Sequence, residues 1–182
     1  AHKGYRGATI KSIGKAAGLK SPSLIYWYFR TKEDLFQQTI KSRQPLLQAA
    51  LNADSLLDQP PREVLFSLAQ TYLSFMEQPE VQQMTQLFLT EIGQRPGLAD
   101  LVSQVLMEPV LAFLNTYLAH QVRLGKLRAH DERSSSRAFI GMFLPQMFGK
   151  SLFPRLRADG LTDEEHLQTA IDIFLRGVMN DP

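Results

Sequence analysis

Apolar residues recur every three to four positions along nearly the whole chain, and that recurrence constrains the fold more than any other feature. Residues 61–78 place Val64, Leu65, Leu68, Ala69, Tyr72, Phe75 and Met76 on one helical stripe. Residues 80–94 repeat the pattern with Val81, Met84, Leu87, Phe88 and Ile92. Residues 96–124 carry a long stripe, Leu98, Leu101, Val102, Val105, Leu106, Val110, Phe113, Leu114 and Tyr117, with Pro109 inside it. Residues 133–153 read as one strongly apolar helix through Phe139, Ile140, Phe143, Leu144, Met147 and Phe148. A last helix opens at Thr162, which forms a capping box with Glu165, and buries Ile171, Phe174, Leu175 and Val178. Breakers punctuate these segments at Gly18, Pro22, Pro60-Pro61, Pro79, Arg95-Pro96-Gly97, Gly125 and Gly160. No period-two run rich in β-branched residues competes, so the chain is expected to be all-α.

The N-terminal segment has shorter helices. Thr9 is placed to cap a helix that ends before Gly18, and a second helix runs from Pro22 to about Phe29. A third follows Thr31, with Glu33 and Asp34 in its first turn, and extends toward Asn52 with Pro45 kinking or splitting it. Residues 1–52 hold nine basic side chains against two acidic ones, a surplus of seven, although the whole chain carries only +2. A basic head on an acidic body suits attraction to a polyphosphate, or else is an unevenly charged solvated surface. The expected organisation is a three-helix head over residues 1–43 and a larger helical body over residues 44–182. The chain opens at Ala1 rather than Met, so an N-terminal segment is expected to be missing from it.

Several function classes drop out. The chain has no Cys, which excludes a disulfide framework, a thiolate zinc site and a cysteine nucleophile. No stretch approaches ~18 uninterrupted apolar residues, and no signal-peptide pattern opens the chain, so no membrane partner is expected. The residues His2, His120, His130 and His166 lack ligand spacing. The run Asp163-Glu164-Glu165-His166 has a metal-like composition, but its acids fit a helix N-terminus better. There is no zinc-protease motif, Gly-rich phosphate loop or nucleophile elbow, so no enzyme, metal or cofactor is expected. A plain helical interaction module with a basic head is the remaining rival.

The informative stretch is residues 9–36, TIKSIGKAAGLKSPSLIYWYFRTKEDLF. Helix, tight turn and short helix make a helix-turn-helix, whose second helix enters the DNA major groove. Ile13, Ala16 and Ala17 are expected on the inner face of the first helix, and Ile25 and Phe29 anchor the second. Ser23, Tyr26, Trp27 and Arg30 then share the opposite face. Their phenol, indole and guanidinium groups suit phosphates and base edges, with Lys11, Lys20 and Lys32 as flanking phosphate clamps. The bland alternative is that the aromatic run is core, above all at Tyr28 and Phe29.

Gly4-Tyr5, the IGKAAG of residues 13–18 and the LIYWYFRTKEDLF of residues 24–36 resemble the tetracycline-repressor (TetR) family of bacterial regulators. The likeness is motif-level over residues 3–40. It is looser in the body, at Leu89-Thr90-Glu91, Arg95-Pro96 and residues 125–128. The resemblance implies a cytoplasmic, homodimeric regulator, usually a repressor that binds near-palindromic double-stranded DNA and releases it when a small-molecule effector occupies the body. It implies DNA contacts at Thr9, Lys11, Lys20, Ser21, Pro22, Ser23, Tyr26, Trp27, Tyr28 and Lys32. The family carries a helix before the Gly-Tyr pair, where this chain has three residues, so weakened DNA binding is expected. The span from Gly18 to Phe29 is one residue longer than is usual in the family, and the extra residue is placed in the turn near Lys20.

The body is rich in adaptable and aromatic side chains, which suit either a bundle core or an apolar pocket. The candidate ligand contacts are Tyr72, Phe75, Met76, Phe88, Phe113, Tyr117, Phe143 and Met147, with Phe66, Met84 and Met107 of the same character. Glu91, Arg95, Glu108, His120 and Arg123 are candidates to orient a ligand, or else solvated face residues. The last two helices, 133–153 and 162–179, carry more apolar residues than one bundle face needs and are the expected dimer interface.

Overall fold

A computed structural model describes residues 7–43, 55–93, 96–149 and 160–180. The head contains α1 (Ile10–Ala16), then a 3-10 turn (Pro22–Leu24) running into α2 (Ile25–Tyr28), then α3 (Lys32–Arg43). The body contains α4 (Pro61–Met76), α5 (Pro79–Ile92), α6 (Pro96–Val102), α7 (Glu108–Arg123), α8 (Glu132–Gly141), α9 (Leu144–Gly149) and α10 (Asp163–Val178). Among the described residues there is no strand, only an isolated antiparallel bridge between Leu127 and Met179. The expected kink at Pro45 and the extension to Asn52 lie outside the described residues.

The core forms where α10 packs on α4 and α8 packs on α7. Leu65, Leu114, Tyr117, Leu118 and Ile171 are fully buried there. Ile171, Phe174, Leu175 and Val178 occupy the buried side of α10, as the spacing predicts. The helical stretch Ala99–Arg123 is long and apolar enough to cross a membrane by length and composition alone. Its inner residues Phe113, Leu114, Tyr117 and Leu118 instead belong to this core.

Two long stripes are interrupted. The stripe over residues 96–124 stays helical but widens into a π-turn (Ser103–Met107) just before Pro109, where the Glu108 N–H donates to the Ser103 carbonyl five residues back. Pro109 has no N–H, and its ring would crowd the carbonyl of Val105 in a regular helix. The stripe over residues 133–153 is not one helix. It breaks after Gly141, where the Met142 N–H is shared between the Ala138 and Phe139 carbonyls, and restarts at Leu144. Pro145 becomes the second residue of α9, where its missing N–H has no intrahelical partner to lose.

Local chemistry sets the ends. Gly18 (φ 74°) and Gly125 (φ 71°) follow α1 and α7 in the left-handed region that other residues avoid. In each case the next N–H bonds back five residues, Leu19 to Gly14 and Lys126 to Gln121, closing a Schellman motif. The turn beyond Gly125 is stitched to the end of α10. The Arg128 N–H donates to the Val178 carbonyl at 2.9 Å, and the Asn180 amide donates to the Gly125 carbonyl at 2.6 Å.

The segment before α4 is tied to α7. The Tyr117 hydroxyl donates to the Gln59 carbonyl at 2.9 Å, and the buried Gln121 amide donates to the carbonyls of Leu57 and Gln59. His120 pairs with Asp58 at 2.8 Å.

At the start of α10, Thr162 and Glu165 make the reciprocal bonds of the predicted capping box. The Thr162 backbone N–H and hydroxyl hold the Glu165 carboxyl below the usual carboxylate range. Such a group stabilises the fold above its unfolded pKa, and that contribution fades as pH falls through the lower folded value. Thr162→Ala should cost about 1 kcal/mol at neutral pH. The melting-temperature gap between the parent chain and Glu165→Ala should close on acidification. A gap that stays constant with pH would count against the carboxylate's role.

Candidate nucleic-acid interface and apolar cavity

The head is built around few buried groups. Ile10, Gly14 and Ile25 are buried, and Ile13 and Phe29 are half-buried. Ala16 and Ala17 are exposed, so the inner face of α1 is Ile10, Ile13 and Gly14 rather than the expected Ile13, Ala16 and Ala17. Gly14 sits on the buried side of α1, which packs on the turn that leads into α2. Thr9 caps α1, its hydroxyl accepting the Ser12 N–H at 3.1 Å while Ser12 Oγ accepts the Thr9 N–H at 2.9 Å.

With Ile25 turned inward, α2 presents its aromatics outward. Tyr26 is 52% exposed, Trp27 86% and Tyr28 79%. The core reading of Tyr28 therefore fails, because anchoring falls to Ile25 and in part Phe29. Thr9, Lys11, Lys20, Ser21 and Ser23 are also exposed. Pro22 begins the 3-10 turn. Lys32 differs from the expected free clamp. It is half-buried, and its Nζ donates to the Ala8 carbonyl at 3.1 Å, fastening the first turn of α3 to the start of α1. The N-terminus of α3 has its own cap, because Thr31 Oγ1 accepts the Asp34 N–H and the Asp34 carboxylate accepts the Arg30 N–H, each at 3.0 Å.

The body holds a cavity of about 440 Å3 that is partly open to solvent. From α4 it takes Leu68, Ala69, Tyr72, Phe75 and Met76, and from α5 it takes Val81, Met84, Thr85, Phe88 and Ile92. Ala99, Val102, Ser103 and Met107 come from α6 and the π-turn. Val110, Phe113 and Leu114 on α7 and Phe139 and Ile140 on α8 close the far side, with Phe143 and Leu144 beside them. The wall also includes Phe36, which belongs to α3 of the head.

Of the expected ligand contacts, Tyr72, Phe75, Met76, Phe88, Phe113 and Phe143 meet on this wall. Tyr117 does not. It stacks on Phe113 with ring centroids 6.1 Å apart and spends its hydroxyl on Gln59. The Met147 side chain lies outside the described residues, as do those of Glu91 and Arg95. Glu108 is exposed, and Arg123 bonds to His120, so neither faces the cavity, nor does His120. Burial pushes the Tyr72 phenol well above its ordinary pKa, so it remains neutral. Among the described residues no cluster of metal-ligating side chains occurs.

Phe36 was missed in the sequence because α3 is polar overall. A lone large aromatic on such a helix was the available signal. Ala99, Val102 and Ser103 were missed because small side chains do not announce a pocket.

Residues 1–39 match the family model "Bacterial regulatory proteins, tetR family". Residues 63–177, more than half the chain, match "AefR-like transcriptional repressor, C-terminal domain". The chain belongs to the TetR family of transcriptional regulators. Solved structures share this TetR-family fold. One, from Mesorhizobium loti and assigned to TetR-family transcriptional regulators, is 19% identical with a TM-score of 0.72, over 98% of this chain and 90% of that one. Another, the flavonoid-responsive regulator FrrA, is 23% identical with a TM-score of 0.71, over 100% of this chain and 91% of that one. A comparison with curated protein sequences gives no match.

Proposed function

We propose that this TetR-family regulator is a cytoplasmic, sequence-specific repressor, released from its operator when a small apolar or aromatic ligand occupies the body cavity. The carrying observation is α3. Phe36 lines the cavity, while Lys32, one turn earlier on the same helix, holds the Ala8 carbonyl of the head. A ligand that displaces Phe36 therefore acts on the helix that is fastened to the start of α1. Release requires a ligand that binds one arrangement better than the DNA-competent one. A coupling of about 1–3 kcal/mol corresponds to roughly 5- to 150-fold in operator affinity.

In this reading residues 1–43 read DNA and residues 44–182 bind ligand and dimerise. Tyr26, Trp27, Tyr28 and Ser23 meet base edges and sugars. Thr9, Lys11, Lys20, Ser21 and Pro22 sit along the phosphates, while Lys32 braces the start of α1. The dimer forms through α8 to α10. With its other side in the core, α10 still leaves Ile173 59% exposed, and Leu161 and Met179 at its two ends and Leu144 on α9 are exposed as well. Two copies of this helical face make a self-complementary interface and call for a near-palindromic operator.

Fluorescence anisotropy tests this with a duplex from upstream of the chain's own coding region and a scrambled control, at several salt concentrations. Preference for the first by about 1,000-fold or more at physiological salt is the expected result. Equal, weak binding that vanishes with salt would reduce the head to a basic patch.

A further inference from the structure

We infer that the cavity selects an uncharged ring compound and discriminates against the same skeleton carrying an ionised group; this rests on the effector reading above and narrows its ligand class. Among the described residues, every side chain on the wall is uncharged. Of these, Tyr72, Thr85 and Ser103 carry a side-chain hydroxyl. A sulfonate, carboxylate or ammonium buried in this space meets no opposite charge among the described residues, and such a transfer is strongly disfavoured in apolar surroundings. Tyr72 does not become a counter-ion for a cation, because burial keeps its phenol protonated. The rings of Phe36, Phe75, Phe88 and Phe113 offer flat apolar faces, and Met76, Met84 and Met107 add deformable thioethers between them. The volume of about 440 Å3 lies in the range that holds drug-sized molecules.

The matched probes are N-phenylnaphthylamine, which is neutral, and anilinonaphthalene sulfonate, which carries the same rings with one negative charge. Fluorescence titration of the full chain with each should give saturable binding of the neutral dye, at least about 100-fold tighter than binding of the sulfonate at the site the two dyes share. Ala99→Trp fills the wall from α6, and Ser103→Trp does so from an exposed position on the π-turn that leaves the core untouched. Each variant, with an unchanged far-ultraviolet circular dichroism spectrum, should weaken the neutral dye tenfold or more. Sulfonate binding as tight as that of the neutral dye, and displaced by it, overturns the inference. So does neutral-dye binding that ignores both substitutions, because the dye then sits elsewhere. Operator anisotropy recorded in the same titration separates the two readings. Neutral-dye binding that leaves DNA affinity unmoved counts against effector control and leaves the ligand class standing. Tight sulfonate binding that releases DNA does the reverse.

Discussion

Trp27→Ala lowers operator affinity about 10- to 100-fold and leaves the melting temperature within a degree or so of the parent chain. The first half follows from a good base or sugar contact being worth about 1–3 kcal/mol. The second follows from the 86% exposure of Trp27, whose removal opens no cavity in the head. Anisotropy on the operator and scrambled duplexes is the measurement. Specificity should fall with affinity, because a readout residue is lost. Lys20→Ala, by contrast, should weaken both duplexes together and reduce the salt slope by about one. Unchanged affinity in Trp27→Ala would remove the α2 face from the interface.

Leu65→Ala destabilises the body by about 2–5 kcal/mol. Leu65 is fully buried where α4 meets the core cluster and does not line the cavity, so its removal leaves a void with no room to relax. At roughly 2–4 °C per kcal/mol for a chain of this size, the melting temperature falls by about 4–20 °C. Thermal unfolding followed by circular dichroism reads it. Met84→Ala is the contrast. Met84 is half-buried on the cavity wall, where its partners already lack close packing on one side, so its truncation should cost much less. Equal losses at the two positions would mean that the cavity wall is packed as tightly as the core.

What the sequence made legible was local. The Thr162–Glu165 box, the glycine after α1 and the stripe on α10 each rest on residues within a few positions of one another, and each appears as expected. The outward face of α2 was legible in part for the same reason, since burial of Ile25 leaves Tyr26 and Trp27 exposed as expected, whereas Tyr28, weighed as core, is exposed as well. The failures share a different cause. That Phe36 reaches the body cavity depends on how α3 crosses elements more than sixty residues away in sequence. Tyr117 was assigned to the cavity by its size and stripe position, but its hydroxyl found the Gln59 carbonyl, a partner fifty-eight residues distant. The break between α8 and α9 was local in origin, at Pro145, yet the unbroken apolar pattern across it hid the proline's effect.

The widened turn before Pro109 has a consequence for descent. A π-turn holds one residue more than the α-helical turn it replaces, and each added residue rotates the helix beyond it by about 100°. The faces on the two sides of Ser103–Met107 therefore stay in phase with their neighbours only while the extra residue is kept. The extra residue accommodates the proline, which has no N–H and would otherwise crowd the carbonyl of Val105. In relatives of this chain the two should be gained or lost together. A one-residue gap in an alignment at this turn, coinciding with a different residue at position 109, would be the trace of that paired change.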